Sequence, residues 1–252
     1  MREWAKKDLS SATAWFNSQI AAGRFESRTL DGRSEARTQF ESALLESLMV
    51  SDSASAGGRL EALPEDQRRE VLQQIEFDGL SPQEQQAYAD LVRNLIPADE
   101  RAGSFAHIAA QLVDENGYDK VGQFLDSVKA SPSEREAAAM QTAESRLTML
   151  GTDADVAQGD VDSLRTWLQE QAPGQVDSIT GKALAEAAQD GGKFGFDQAS
   201  QLIQHYQRTT GSDEVLVSFL KTYSARSNLE EARQLVDMVS DPEVRAQLLK
   251  DL

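Results

Sequence analysis

The chain has 252 residues, of which 40% are hydrophobic and 27% charged, with no cysteine and a formal net charge of −17. A chain of this length removes roughly 70–75% of its unfolded surface from water on folding, enough for a sizeable core. The lack of cysteine excludes disulfides, thiol nucleophiles and thiolate metal sites. The acidic surplus makes nucleic acid and anionic membranes poor partners.

The negative charge is unevenly distributed along the chain. Residues 1–50 carry seven basic and seven acidic side chains, so the whole net charge of −17 lies in residues 51–252. Such an excess favours solubility, and it also favours a basic partner. We therefore expect any protein or peptide partner to be basic and to bind beyond residue 50.

The first segment, MREWAKKDLSS, lacks the apolar run of a signal peptide, and no stretch of the chain approaches 18 apolar residues. No membrane insertion is predicted. The sequence does not decide whether the protein is cytoplasmic or is exported by a signal that has been removed.

The composition favours one type of secondary structure. Abundant Ala, Leu, Glu, Gln and Arg favour helix, and the absence of alternating β-branched runs argues against strands.

A short helical signature recurs along the chain: a small or apolar residue, two variable positions, and two large apolar residues. Its copies occupy residues 12–16, 56–60, 88–92, 121–125, 164–168, 199–203 and 232–236. The copy at 56–60 is weak, because Arg59 stands where an apolar residue is expected. The spacing of the copies is typical of helix-pair repeats. It predicts an all-α chain: an α-α superhelix (solenoid) of about seven stacked hairpins with 12–14 helices.

Helix boundaries follow in chain order from capping patterns. A long turn is expected from Ala22 to Ser34, and Ser81-Pro82 and Ser131-Pro132 each open an S-P-x-E capping box. A second long turn is expected from Gly151 to Gly159, and Asp241 is expected to cap the last helix. The predicted core residues are Trp15, Phe124, Leu125, Trp167, Leu168, Leu202, Leu235 and Leu248.

The first repeat in the sequence resembles a known type of repeat. The stretch from Trp4 to Trp15, WAKKDLSSATAW, resembles bacterial helical-repeat proteins whose units read W-A-x-x-D-P-x-x-A-x-x-W, with Leu9 in place of the proline. The architecture is similar to tetratricopeptide and HEAT-like superhelices, although the W-x-x-L-G-x-x-Y run of the former is absent. The resemblance implies a superhelix with a binding or scaffold role. Since no long low-complexity linker separates two composition types, a single domain, 1–252, is predicted. The stretch from Trp4 to Asp8 reads as the tail of one repeat running into the next, so we expect the chain to be a fragment of a longer array.

Few residues suggest catalytic or metal-binding chemistry. His107 and His205 are far apart in sequence and lack a metal-ligand spacing. Gly174 with Gly181-Lys182 resembles a phosphate loop only superficially, because the gap is too long and no strand precedes it. The segment Asp153–Asp162 has carboxylates that could hold calcium, but it departs from the EF-hand pattern. Capping of the next helix by Asp160 or Asp162 explains it more simply.

No catalytic, cofactor-binding or metal-binding residue is therefore predicted, and no cofactor. The favoured function is a non-catalytic protein- or peptide-binding scaffold that uses a concave solenoid surface. The alternatives are a hydrolase or lyase acting on glycan with a carboxylate pair in a superhelical cleft, and a structural assembly module. A carboxylate pair with raised pKa values in one cleft would favour the enzyme. The oligomeric state is not predicted.

Overall fold

The structure, a computed structural model, describes residues 1–25, 34–77, 80–113, 117–188 and 192–252, without the side chain of Asp153. Within these residues the chain is all-α, with sixteen α-helices and no β-strand. The helices are α1 (Arg2–Lys7), α2 (Leu9–Ala21), α3 (Glu35–Ser51), α4 (Ser53–Glu61), α5 (Glu65–Gln73), α6 (Pro82–Leu95), α7 (Arg101–Leu112), α8 (Asp119–Ser127), α9 (Pro132–Asp153), α10 (Gln158–Gln171), α11 (Val176–Ala187), α12 (Phe196–Thr210), α13 (Glu214–Leu220), α14 (Tyr223–Ser227), α15 (Leu229–Val236) and α16 (Pro242–Asp251). A single 3-10 turn, Pro173–Gln175, precedes α11.

The described residues form more helices than the 12–14 predicted, because single polar residues divide stretches that the apolar pattern alone would join. Asp8 lies between α1 and α2, and its carboxylate accepts a hydrogen bond from the backbone N–H of Ser11 at 3.0 Å. Asp52 separates α3 from α4 in the same way, through Ser55 N–H at 3.0 Å. A side-chain acceptor satisfies a free N–H group of the new first turn, so each aspartate starts a helix.

Several predicted boundaries are confirmed. Ser81 and Ser131 each form a capping box with the glutamate three residues later, and Asp241 caps α16. The helices α2 and α3 end and begin at the two ends of the predicted Ala22–Ser34 turn, of which residues 26–33 lie outside the described part.

The predicted turn from Gly151 to Gly159 is wrong in extent. Helix α9 continues to Asp153 and α10 begins at Gln158, so only residues 154–157 connect them. Gly151 lies inside α9, where a Cβ would come within 3.1 Å of the Ala187 carbonyl oxygen. Gly151 therefore permits close packing and does not end the helix.

The first of two compact units contains residues 1–108 and 123–130. Helix α3 lies at its centre and contacts α1, α2, α4, α5 and α6. Its residues Leu44, Leu45 and Met49 are almost completely buried. An ion pair joins α1 to α3, with Arg2 Nε 2.9 Å from the Glu46 carboxylate.

The second unit contains residues 109–122 and 131–252. Helix α11 is its centre and contacts α9, α10, α12, α13 and α14. Small residues let α13 approach closely: a Cβ at Gly181 would overlap the backbone oxygen of Val215. The prediction of one continuous domain stays a prediction.

Six of the eight predicted core residues are buried, namely Phe124, Leu125, Trp167, Leu168, Leu235 and Leu248. Trp15 is 38% exposed and Leu202 only half-buried, so these two predictions are wrong. In both copies the next residue, Phe16 or Ile203, is fully buried. On these two helices only the second residue of the apolar pair faces the core, whereas both residues of the pairs Phe124-Leu125 and Trp167-Leu168 are buried.

Candidate functional site

Two grooves run along opposite sides of α4 in the first unit. The α2–α4 groove lies between α2 and α4 over α3 and encloses about 940 Å³; its lining is Leu9, Ser10, Thr13, Ala14, Asn17, Ile20, Arg37, Glu41, Leu48, Ser51, Asp52, Ser55, Gly58, Arg59 and Ala62. The α4–α6 groove encloses about 830 Å³, lined by Met49, Val50, Ser53, Ala54, Gly57, Gly58, Glu61, Gln83, Gln86, Ala87, Asp90, Leu91, Asn94 and Leu95. Volumes of this size suit a ligand or an inserted segment.

The composition of α4 leaves both grooves open. Its sequence, SASAGGRLE, has Gly57 and Gly58 in the middle of the helix, where glycine destabilises a helix by about 0.5–1 kcal/mol relative to alanine. A Cβ added at either glycine would meet nothing within 4 Å. No packing contact within the described residues therefore requires these glycines, and their effect is to widen the grooves.

One end of the α2–α4 groove is charged. Arg59 donates from Nε to the Glu41 carboxylate at 2.8 Å and from Nη1 to Asn17 Oδ1 at 2.9 Å, and its guanidinium lies 5.4 Å from the Phe16 ring centroid. Glu41 is 4% exposed. Burial raises the pKa of Glu41, and the charges of Arg59 and Arg37 oppose that rise.

Arg37 is the second positively charged residue at the charged end of the α2–α4 groove, and it differs from Arg59 in its hydrogen bonds. Its Nε is buried and has no hydrogen-bond partner among the described residues. At the opposite end of the groove, Asp52 is occupied by Ser55, whose backbone N–H and hydroxyl both donate to it. The groove thus combines apolar surface with a guanidinium whose Nε has no hydrogen-bond partner among the described residues.

The α4–α6 groove has different chemistry. Val50, which is 43% exposed, and the half-buried Leu95 supply its apolar surface, and Met49 and Leu91 are buried members of the lining. Among the described residues that line it, the charged ones are both acidic: Glu61 on α4, and Asp90 on α6. Amide side chains complete the rim. The groove therefore presents an apolar floor and a negative edge.

A carboxylate pair lies in a smaller cleft of the second unit, between α9 and α11. The cleft encloses about 440 Å³ and includes Glu144, Glu186 and the exposed Met149. Burial raises the pKa of Glu144, the charge of Glu186 raises it further, and Lys182 lowers it. A raised pKa in a carboxyl group that lies beside a second carboxylate is the pattern that would accompany carboxylate chemistry.

The histidines and the glycine pattern singled out in the sequence lie in helices. His107 is in α7, with Nε2 3.3 Å from the Gln73 carbonyl oxygen. His205 is in α12 and meets the Tyr206 ring edge-on, with ring centroids 5.1 Å apart. Gly181 and Lys182 belong to α11, where Gly181 packs against α13, so they form no phosphate loop.

The described carboxylates of the Asp153–Asp162 segment point to separate partners. Asp160 accepts a hydrogen bond from Ala157 N–H at 3.0 Å and closes the first turn of α10, as expected. Asp155 accepts from Gln198 at 2.7 Å, and Asp162 accepts from the Tyr206 hydroxyl at 2.8 Å. Among the side chains that the structure describes, no three His, Asp or Glu residues converge as metal ligands.

The grooves were not predicted from the sequence as sites. One signal was present: Arg59 breaks the apolar pair of its repeat copy, and it proves to be the ion-pair partner of Glu41. Arg37 gave no such signal, because an isolated arginine in a polar helical stretch is typical of a solvent-exposed face.

Comparison of the chain with protein-family models, with curated proteins and with solved structures gives no match. None of the helices in the described part of the chain is both long and apolar enough to cross a membrane.

Proposed function

We propose that the protein is a non-catalytic binding module of the α-α superhelix type that docks a basic amphipathic helix of a partner protein in the α4–α6 groove. The observation that carries this proposal is the combination of apolar floor and purely acidic charge in that groove. A helix with one apolar stripe can bury it against Val50, Leu95 and their neighbours. Lysine or arginine residues beside the stripe would then meet Glu61 and Asp90.

The order of the helices supports the repeat architecture. The fourth residues of the seven signature copies lie in α2, α4, α6, α8, α10, α12 and α15, and another helix follows each of these. A helix between successive copies is what stacked hairpins require, and two helices, α13 and α14, separate the last two copies. We propose the solenoid on this ground, with the concave surface as its binding face.

The test uses three synthetic peptides. The first places leucines on one helical face and lysines beside them, the second replaces the lysines with glutamates, and the third scrambles the leucine positions. We expect only the first to bind, and its affinity to fall as salt rises, because screening limits exposed charges to a reach of about 8 Å at physiological ionic strength. Fluorescence anisotropy of labelled peptides measures the affinities.

A variant of the groove distinguishes docking from general attraction to an acidic protein. Gly57→Leu fills the α4–α6 groove from a position with open space and should weaken binding about tenfold or more, a change of 1.4 kcal/mol or above. Gly103→Leu makes the same exchange on α7, also into open space, and should leave binding unchanged. Equal binding by the unsubstituted protein and both variants, or binding of the scrambled peptide as tight as that of the first, would contradict the proposal.

The glycan hydrolase or lyase is a second candidate, supported by Glu144 and Glu186 in their cleft. A general acid needs a raised pKa, and burial gives Glu144 a shift in that direction. Reducing-sugar release from a panel of polysaccharides tests this function. Activity that Glu144→Gln abolishes would favour the enzyme, whereas no release from any substrate would leave the binding module.

A further inference from the structure

The α2–α4 groove is elongated and has two unlike ends. The bonds of Arg59 to Glu41 and Asn17 place the charged end beside the beginning of α3. Leu48 and Ser51, near the end of α3, line the groove as well. From Arg37 to Ser51 the helix rises by about 21 Å, at 1.5 Å per residue. The groove is therefore long enough for an extended chain molecule.

The charges of the described residues at the first end do not balance. Arg37 and Arg59 carry two positive charges there, and Glu41 is the one acidic residue among the described residues that line this end. Arg59 already pairs with Glu41 at 2.8 Å. One further anion would neutralise this end, and a carboxylate fits the planar fork of a guanidinium with two parallel hydrogen bonds.

The hydrogen-bonding capacity of the lining limits what the ligand can be. Glu41 and Asn17 are engaged by Arg59, and Asp52 caps α4, whereas Nε of Arg37 lacks a partner among the described residues. An extended peptide would bring many backbone donors and acceptors that need partners. A ligand with a single anionic head and a long apolar body needs only Arg37 and the apolar surface.

We infer that the α2–α4 groove binds a long-chain aliphatic carboxylate, with its head paired to Arg37 and its chain directed toward Leu48. Because Nε of Arg37 is buried in the structure, this pairing requires the Arg37 side chain to rotate toward the groove. The inference does not depend on the proposed function, because the α4–α6 groove lies on the other side of α4.

Isothermal titration calorimetry with dodecanoate, below the concentration at which it forms micelles, tests the inference. Dodecanol serves as the neutral ligand of the same length. We expect one dodecanoate per chain and about tenfold or more weaker binding of dodecanol, since a hydrogen-bonded charge pair of this kind contributes that much. Ala14→Trp, at an exposed position of the lining, should abolish binding of both.

Three arginine variants locate the head. Arg37→Ala should reduce dodecanoate affinity to that of dodecanol and leave dodecanol affinity unchanged, which also shows that the groove is intact. Arg37→Lys, which keeps the charge and loses the fork, should give an intermediate affinity. Arg69→Ala, which removes a surface guanidinium paired with Glu100, should change nothing. Equal affinity for acid and alcohol, an unaffected Arg37→Ala variant, or no binding of dodecanoate would overturn the inference.

Discussion

At the scale of single residues, Trp167 illustrates how one side chain stabilises the second unit. It is 7% exposed and stacks on Tyr118, with ring centroids 4.9 Å apart and planes inclined by 18°. Trp167→Ala should lower the free energy of unfolding by about 3–5 kcal/mol, through lost burial and the cavity left behind. Urea unfolding followed by circular dichroism measures this, and a loss below about 1 kcal/mol would show that the side chain is not part of a well-packed core.

The burial of a residue could be predicted from the sequence where apolar spacing alone decides it. It could not be predicted where a neighbouring side chain occupies the core position instead. The spacing identified Trp167 and Phe124 correctly, because one face of each helix is apolar. It failed at Trp15, because Phe16 beside it takes the buried position and leaves Trp15 on the rim. Arg37 and Glu41 were not recognised, since their importance depends on a groove formed with residues distant in sequence.

At the scale of helices, α4 and α11 contain glycines with opposite effects on stability. Gly57→Ala adds a methyl group in open space and should stabilise the first unit by about 0.5–1 kcal/mol. Gly181→Ala would push a Cβ into the backbone of α13 and should destabilise the second unit by about 1–3 kcal/mol. Thermal unfolding of the two variants measures both effects; shifts of the same sign would contradict this assignment.

The helical secondary structure and several helix starts could be predicted from the sequence. Helix starts are predictable because capping depends on residues within one turn of the helix. Ser81, Ser131 and Asp241 act as expected. The divisions at Asp8 and Asp52 were missed, because an aspartate inside a helical pattern has the same composition whether it caps or faces solvent. The sequence predicts Gly151 as a turn residue, and only its close approach to Ala187 shows that it has a packing role.

At the scale of the whole molecule, stability should depend on pH through buried carboxyl groups. Burial is the main cause that raises the pKa of Glu41, Glu46 and Glu144 above the ordinary 4.5. The folded chain then holds more protons than the unfolded chain just above that value, so stability falls as pH rises through this window. Hydrogen bonds from Ser11 and Ser55 lower the pKa of Asp8 and Asp52 below 3.8, so stability also falls in stronger acid.

The free energy of unfolding should therefore be larger at about pH 5 than at about pH 7 or pH 3. Urea titrations at the three pH values measure it at low protein concentration, because the isoelectric point lies near 4.5. Glu144→Gln should stabilise the protein at neutral pH and have little effect in acid, since glutamine resembles the protonated form. A steady rise in stability from about pH 5 to pH 7 would contradict this expectation.

The placement of the three tryptophans has a spectroscopic consequence. Trp4 and Trp15 lie in the first unit, 5.7 Å apart and more than one third exposed, whereas Trp167 is buried in the second unit. The fluorescence of Trp4 and Trp15 should therefore have its maximum at a longer wavelength than the fluorescence of Trp167. Phenylalanine at positions 4 and 15 would leave Trp167 as the sole emitter. The chain thus contains its own optical reporter for each unit, and the unfolding of each unit can be recorded without an added label.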